Sequence, residues 1–210
     1  MSKFTKQQFI EMLKAAVEII AKEHENLSAL DAATGDGDHG VTIHRAMQAV
    51  NEVLNSKADL PLADLAEEIA DAIASSDGGS TSSLLSSYYE GFGNAAPADE
   101  LDAEQTAAFF EAALEELQDI TDAKVGDKTM MDAMIPATET LTAELRSSGD
   151  IKLAFKKAAE AAVEGAEKSK EFVAKFGRAR TMGEKAIGHK DAGATSVSYV
   201  FTAFAETINK

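Results

Sequence analysis

The chain has 210 residues, 45% hydrophobic and 27% charged, with 20 basic against 36 acidic side chains for a net charge of −16. That apolar content excludes a disordered chain, and so negative a surface repels phosphate backbones and anionic lipid, so neither nucleic acid nor a membrane is an expected partner. The absence of cysteine excludes disulfides, thiolate zinc sites and cysteine nucleophiles, and without an apolar run of roughly 18 residues or a leader pattern, one cytoplasmic domain over residues 1–210 is expected.

Only 3 prolines interrupt an Ala-, Leu-, Glu- and Lys-rich chain, which is helix-forming composition. The apolar spacing predicts eight helices, near 5–25, 39–57, 61–76, 81–94, 102–121, 129–147, 150–175 and 192–208. Thr5 with Gln8 three residues on is a capping box for the first helix, whose Phe9, Ile10, Leu13, Ala16, Val17 and Ile20 form one face. Pro61 suits the first turn of the third. Asp102 caps the fifth, with Phe109, Phe110, Ala113, Leu114 and Leu117 as its stripe. Short connections between long helices imply antiparallel neighbours, hence an up-and-down bundle or a closed ring.

Glycine concentrates in three connections. The first places Asp31, Asp36 and Asp38 within eight residues, in the run Asp31-Ala32-Ala33-Thr34-Gly35-Asp36-Gly37-Asp38-His39-Gly40. Two bare carboxylates about 5 Å apart repel by roughly 3 kcal/mol at an effective dielectric near 20, so three together call for a cation. Hard oxygen ligands point to Mg²⁺ or Ca²⁺. An EF-hand is excluded, because its twelfth position is Met47 where glutamate is required. Mg²⁺, completed by phosphate and water, fits better. The helix entry at His39–Thr42 directly after the loop can bind an anion. An Asp/Gly turn capping the second helix is the plainer alternative.

The second loop, Asp77-Gly78-Gly79-Ser80-Thr81-Ser82-Ser83, leads into a helix. It can cradle phosphate, although Ser and Thr are also ordinary caps. Gly126-Asp127-Lys128-Thr129-Met130 has the look of a Walker A fragment but is not one. Its Gly and Lys are not adjacent, and Thr121 stands where the upstream glycine is needed. By spacing alone it is a helix entry with Asp127 or Thr129 near the cap. The third connection, Gly177–Gly193, concentrates Arg178, Arg180, Lys185 and Lys190 on an otherwise acidic chain, as phosphate neutralisers or as surface ion-pair partners. His24 and His44 fall in helices as packing or surface residues, while His39 and His189 sit in glycine loops, able to donate to phosphate or orient a water. Carboxylates for Mg²⁺, two helix entries and a cationic loop are the parts phosphoryl transfer needs.

Asp31…Gly35-Asp36-Gly37-Asp38-His39-Gly40, then Gly126-Asp127-Lys128-Thr129-Met130, then Gly177-Arg178…Gly183-Glu184…Gly188-His189…Asp191-Ala192-Gly193-Ala194 resemble, in order and over nearly the whole chain, the nucleotide-binding L subunit of dihydroxyacetone (glycerone) kinase. The resemblance implies an all-α closed barrel of eight antiparallel amphipathic helices with the nucleotide at one end. It implies that Asp31, Asp36 and Asp38 hold two Mg²⁺ ions bridging the phosphates of ADP or ATP. His39, Gly40, Val41 and Thr42 would line those phosphates from the second helix, and Ser80 and Thr81 from the next loop. Met130 would border the adenine, Arg178 would contact the nucleotide and stabilise charge, and Asp191, Ala192 and Gly193 would close the base and sugar side. It further implies a K subunit holding the ketose, and the His39 form of the first loop resembles the two-component enzymes charged by a phosphotransferase-system donor.

Two stretches differ from the family pattern. Gly79-Ser80-Thr81-Ser82-Ser83 replaces Gly-Gly-(Ala or Ser)-Ser-Gly-Pro, putting Ser82 where positive φ would be costly. Asp191-Ala192-Gly193 replaces Asp-Pro-Gly. Alternative readings are an ATP-dependent kinase subunit for another small keto-sugar, the related nucleotide domain of fatty-acid kinases (which carries Asp-Gly-Asp-Thr-Gly), or a non-catalytic acidic helical interaction module.

Overall fold

In the computed structural model, which describes residues 3–210, the expected capping box forms. Thr5 Oγ1 accepts from the Gln8 N–H, the Gln8 side chain accepts from the Thr5 N–H, and helix α1 (Lys6–Ala32) begins there. It is followed by α2 (His39–Ser56), α3 (Leu62–Ala74), α4 (Gly79–Ala95), α5 (Ala103–Asp119), α6 (Met131–Ser148), α7 (Ile151–Lys168) and α8 (Ala192–Ile208). Pro61 is the residue that precedes α3, with extended ψ, rather than its first turn. Asp102 caps α5 through a second reciprocal box with Gln105. Gly149 ends α6 in the left-handed conformation, φ +69°.

Each helix packs against the next in sequence and α8 packs back onto α1. Two-residue strands β1 (Phe4–Thr5) and β2 (Glu100–Leu101) pair antiparallel, which pins the chain's start to the α4–α5 connection. At that end Phe4, Phe9, Phe92, Phe109, Phe110 and Phe155 bury completely and make one aromatic cluster, with Phe92 and Phe109 stacked at 4.4 Å. The opposite end collects the last turn of α1, the segment that follows α5 and the first turns of α2, α4, α6 and α8 around one cleft. Consecutive helices therefore run in alternating directions. Among the described residues, no helix is long and apolar enough to cross a membrane.

Helix bounds differ from expectation in two informative places. α1 continues seven residues beyond the expected end at 25 to Ala32, because buried Leu27 and half-buried Leu30 extend its apolar face. Asp31 thus sits on a helix and not in a loop. α7 stops at Lys168 rather than 175. There the Ser169 hydroxyl folds back onto the Ala166 carbonyl, and the Ser169 carbonyl is taken by the Lys128 ammonium at 2.6 Å. A short 3₁₀ turn, Ser169–Glu171, follows. The basic stretch is not an open loop but a 3₁₀ run over Arg178–Ala186, kinked at Gly183.

Candidate active site

The cleft encloses about 960 Å³. Asp31, Asp36 and Asp38 stand at its edge, each with a carboxylate oxygen within 4.8 Å of the others. Helix position delivers Asp31, and the tight turn at Gly37 (φ +78°) brings the other two beside it. Burial, then the charges of Asp36 and Asp31, push the Asp38 carboxyl above its ordinary range. A hard-oxygen set held against its own repulsion suits a small divalent cation. Asp31 also joins two helices: its Oδ2 accepts the first N–H of α2, from His39, at 3.3 Å. Arg178 reaches across from the 3₁₀ run and pairs with Asp36 at 2.8 Å.

The N-terminal ends of α2, α4, α6 and α8 all face this cleft, so four partial positive charges converge where an anion would lie. The N-cap residues of α2 and α4, Asp38 and Gly78, make no side-chain capping bond, and at α2 only the His39 N–H is taken by a side chain, that of Asp31. Of the expected phosphate residues, His39, Val41, Thr42, Ser80 and Thr81 line the cleft. Gly40 does not. A Cβ there would lie 1.8 Å from the His24 carbonyl oxygen, so Gly40 is the close-approach point of α2 on α1. His39 Nε2 lies 3.0 Å from Ser196 Oγ, whose own proton goes to the Gly193 carbonyl. The imidazole therefore donates from Nε2, and burial, only partly offset by Asp31, keeps it below its ordinary 6.5. His189 is exposed and lies outside the cleft. His24 and His44 pack ring against ring at 4.5 Å, as helix residues.

The two departures from the family pattern are structurally mild. Ser82 lies within the first turn of α4 and needs no left-handed backbone. It is buried, and its hydroxyl pairs with Ser76 Oγ at 2.9 Å. Gly79 takes the positive φ instead, +53°. Ala192 is the first residue of α8, and Asp191 still caps that helix, accepting the Ala194 N–H at 2.7 Å.

Met130 and the Asp191–Gly193 segment pack directly against each other and line the cleft side by side. A Cβ on Gly193 would meet Met130 N and Cβ at 3.3 Å. Burial pushes the Asp191 carboxyl up to about 7, against the Ala194 N–H and with the like charge of Asp132 adding to the rise. Thr129 stands beside the N-cap of α6 as expected, its hydroxyl accepting the first N–H of that helix, from Met131, at 3.2 Å, whereas Asp127 makes no capping bond to it. Asp132, fully buried, folds back to accept the N–H groups of Gly126 and Thr129 at 2.6 and 2.7 Å. Asp127 accepts from the Lys124 N–H and pairs with Lys175 at 2.6 Å; burial opposes its charge, yet these partners hold its carboxyl below the ordinary range.

Sequence reasoning missed three of the groups here. Arg45, one turn after Val41 on the same helix face, lines the cleft and grips the Asp77 carbonyl; its i, i+4 offset was the available signal. Lys128 and Asp132 are set by tertiary burial and left no local pattern. The interior wall of Tyr88, Tyr89, Phe201 and Phe204 carried no polar or spacing signal that set it apart.

Residues 33–206 match the DAK2 domain family model. The chain is 29% identical over 202 residues to the ADP-binding subunit DhaL of the PEP-dependent dihydroxyacetone kinase of Escherichia coli (strain K12), with 96% of each covered. It is 31% identical to L-erythrulose kinase of Pectobacterium atrosepticum, covering 94% of this chain but 34% of that one. The crystal structure of the dihydroxyacetone kinase from C. freundii in complex with AMP-PNP and Mg²⁺ superposes with a TM-score of 0.73 at 27% identity, over 94% of this chain and 33% of that one. The chain thus spans about a third of the longer kinases and nearly the full length of the subunit. With the motifs in order and the same helical fold beneath them, this chain belongs to the DAK2-domain family.

Proposed function

We propose that this chain is the nucleotide-binding subunit of a dihydroxyacetone-type kinase, acting over residues 1–210 as one unit that presents Mg-ADP or Mg-ATP to a short ketose held on a partner K subunit. The observation that carries the reading is the cluster of Asp31, Asp36 and Asp38 facing four convergent helix N-termini. The carboxylates would hold two Mg²⁺ ions, which supply charge neutralisation on the phosphate oxygens when bound. The chain's own part is positioning. The first-turn N–H groups of α2 with Thr42, and Ser80 and Thr81 on α4, receive the phosphates. Arg178 leaves Asp36 to stabilise charge on the transferred group. Met130 and Asp191–Gly193 hold the base and sugar.

Calorimetry of Mg-ADP binding tests this. Asp36→Asn and Asp38→Asn are expected to abolish binding with helicity by circular dichroism intact, because they remove charge balance and no core packing. Wild-type affinity in both variants would overturn the metal assignment.

The similarity to the ADP-binding subunit of E. coli supports ADP as the bound nucleotide, and in this reading it is a resident cofactor rephosphorylated in place by a phosphotransferase-system protein. Acid extraction of the purified protein is then expected to yield near-stoichiometric ADP, exchanging slowly with labelled ADP. Substoichiometric nucleotide exchanging in seconds would instead make ATP the substrate.

A further inference from the structure

The Gly126–Thr129 segment is left without a role by the nucleotide contacts proposed above. Lys128 is its centre. It is the one non-glycine residue among those described with positive φ, +58°, a backbone conformation that costs a bulky side chain free energy. Its side chain is only 2% exposed, and burial lowers the affinity of its ammonium for the proton, against the pull of Asp191 and Asp132. A buried ammonium is expensive unless fully hydrogen-bonded, and an apolar side chain of the same length is usually at least as stable in such a place. Stability alone therefore gives no reason for a lysine here.

Its partners suggest the reason. Lys128 Nζ donates to the Ser169 carbonyl at 2.6 Å and to the His189 carbonyl. Ser169 lies in the turn after α7, and His189 in the segment that enters α8. The same two segments are joined twice more, by the Asp191 N–H on Ser169 Oγ at 2.9 Å and by the Gly188 N–H on the Lys170 carbonyl at 2.8 Å. Asp132, through the Gly126 and Thr129 N–H groups, holds the Lys128 loop to the start of α6. Met130, two residues beyond Lys128, is the group Gly193 packs against. One ammonium thus joins the two packed segments, 188–193 and the Lys128–Met130 loop, that together make the stretch of cleft wall a base would rest on.

We infer that Lys128 is a positioning residue that clamps the 188–193 segment against Met130 and so sets the affinity for the base-and-sugar end of the nucleotide, leaving the metal–phosphate end untouched. The inference rests on the nucleotide reading above. Its test separates the two ends of the ligand. Lys128→Met is titrated by calorimetry with Mg-ADP and with Mg-pyrophosphate, and melted without ligand. The expected result is Mg-ADP affinity weakened by about tenfold or more, Mg-pyrophosphate affinity unchanged, and a melting temperature unchanged or raised. Wild-type Mg-ADP affinity in the variant, or an equal loss for both ligands, would overturn it. Should Lys128→Met fail to fold, Lys128→Gln, which removes the ammonium but keeps a polar donor and is too short to hold both carbonyls, decides by the same ratio. A wild-type protein that binds neither probe would instead sink the nucleotide reading, and this inference with it.

Discussion

Asp191 performs two tasks at the cleft floor, capping α8 and contributing a carboxyl to a buried, acid-rich surround. Its folded-state pKa of about 7 stands above the ordinary 3.8. Between those values the folded chain keeps a proton that the unfolded chain releases, so the folded state is favoured at acid pH and loses that advantage as pH rises through about 4 to 7. Asp191→Asn keeps an acceptor for the Ala194 N–H and removes the titration. It is expected to flatten the stability profile across that window, by at most about 4 kcal/mol. Urea unfolding of nucleotide-free protein in EDTA from pH 4 to pH 8 measures it, and parallel profiles for the two proteins would contradict the assignment. The same residue shows why the site could be named but not ranked from sequence. The Asp-Ala-Gly spelling identifies a helix cap, whereas the carboxyl's charge depends on Asp132 and Lys128, some sixty positions away.

At the scale of the element, the two ends of the helices carry different duties. Asp102 caps α5 at the aromatic end, a helix length from the cleft, which is lined by the segment that follows α5. Asp102→Ala is expected to cost about 1 kcal/mol and leave Mg-ADP affinity unchanged. Gly165 is the contrast. It lies where α7 crosses the first turn of α6, and a Cβ there would sit 2.0 Å from the Asp132 carbonyl oxygen. Gly165→Ala must push α6 away, at a cost of about 3 kcal/mol. Because Asp132 also holds the Gly126–Thr129 loop, nucleotide affinity should fall with stability. Denaturant melts and calorimetry on both variants check the pair, and a Gly165→Ala protein with full affinity would show that the α6 entry and the loop are uncoupled.

For the whole molecule, alternating helix direction sorts the chemistry. It gathers four helix N-termini and three carboxylates at one end and the cluster of six phenylalanines around Phe4 at the other. That arrangement serves a charged ligand, and the proposed role gives it no ketose-holding domain of its own. The isolated chain is therefore expected to phosphorylate dihydroxyacetone negligibly, and a ketose-binding subunit added in trans should restore turnover. Robust turnover by the mass-verified chain alone, in a coupled assay, would remove the need for a partner.

The helices were legible because their causes are local: capping boxes at Thr5 and Asp102, a three-four apolar spacing in every segment, and glycine at the breaks. The carboxylate cluster was legible for the same reason, since Asp31, Asp36 and Asp38 lie within eight residues of chain. What the tertiary structure alone decided is what depends on distant partners. Gly40 proved to be a packing point on α1 and not a wall of the cleft. Ser82 needed no special backbone because Gly79 took the positive φ. Lys128, dismissed by its spacing from a phosphate loop, became a buried link between α7, α8 and the Met130 wall. Local sequence sets backbone preference within a few residues, but burial and electrostatic partners are set only when segments far apart in the chain come into contact.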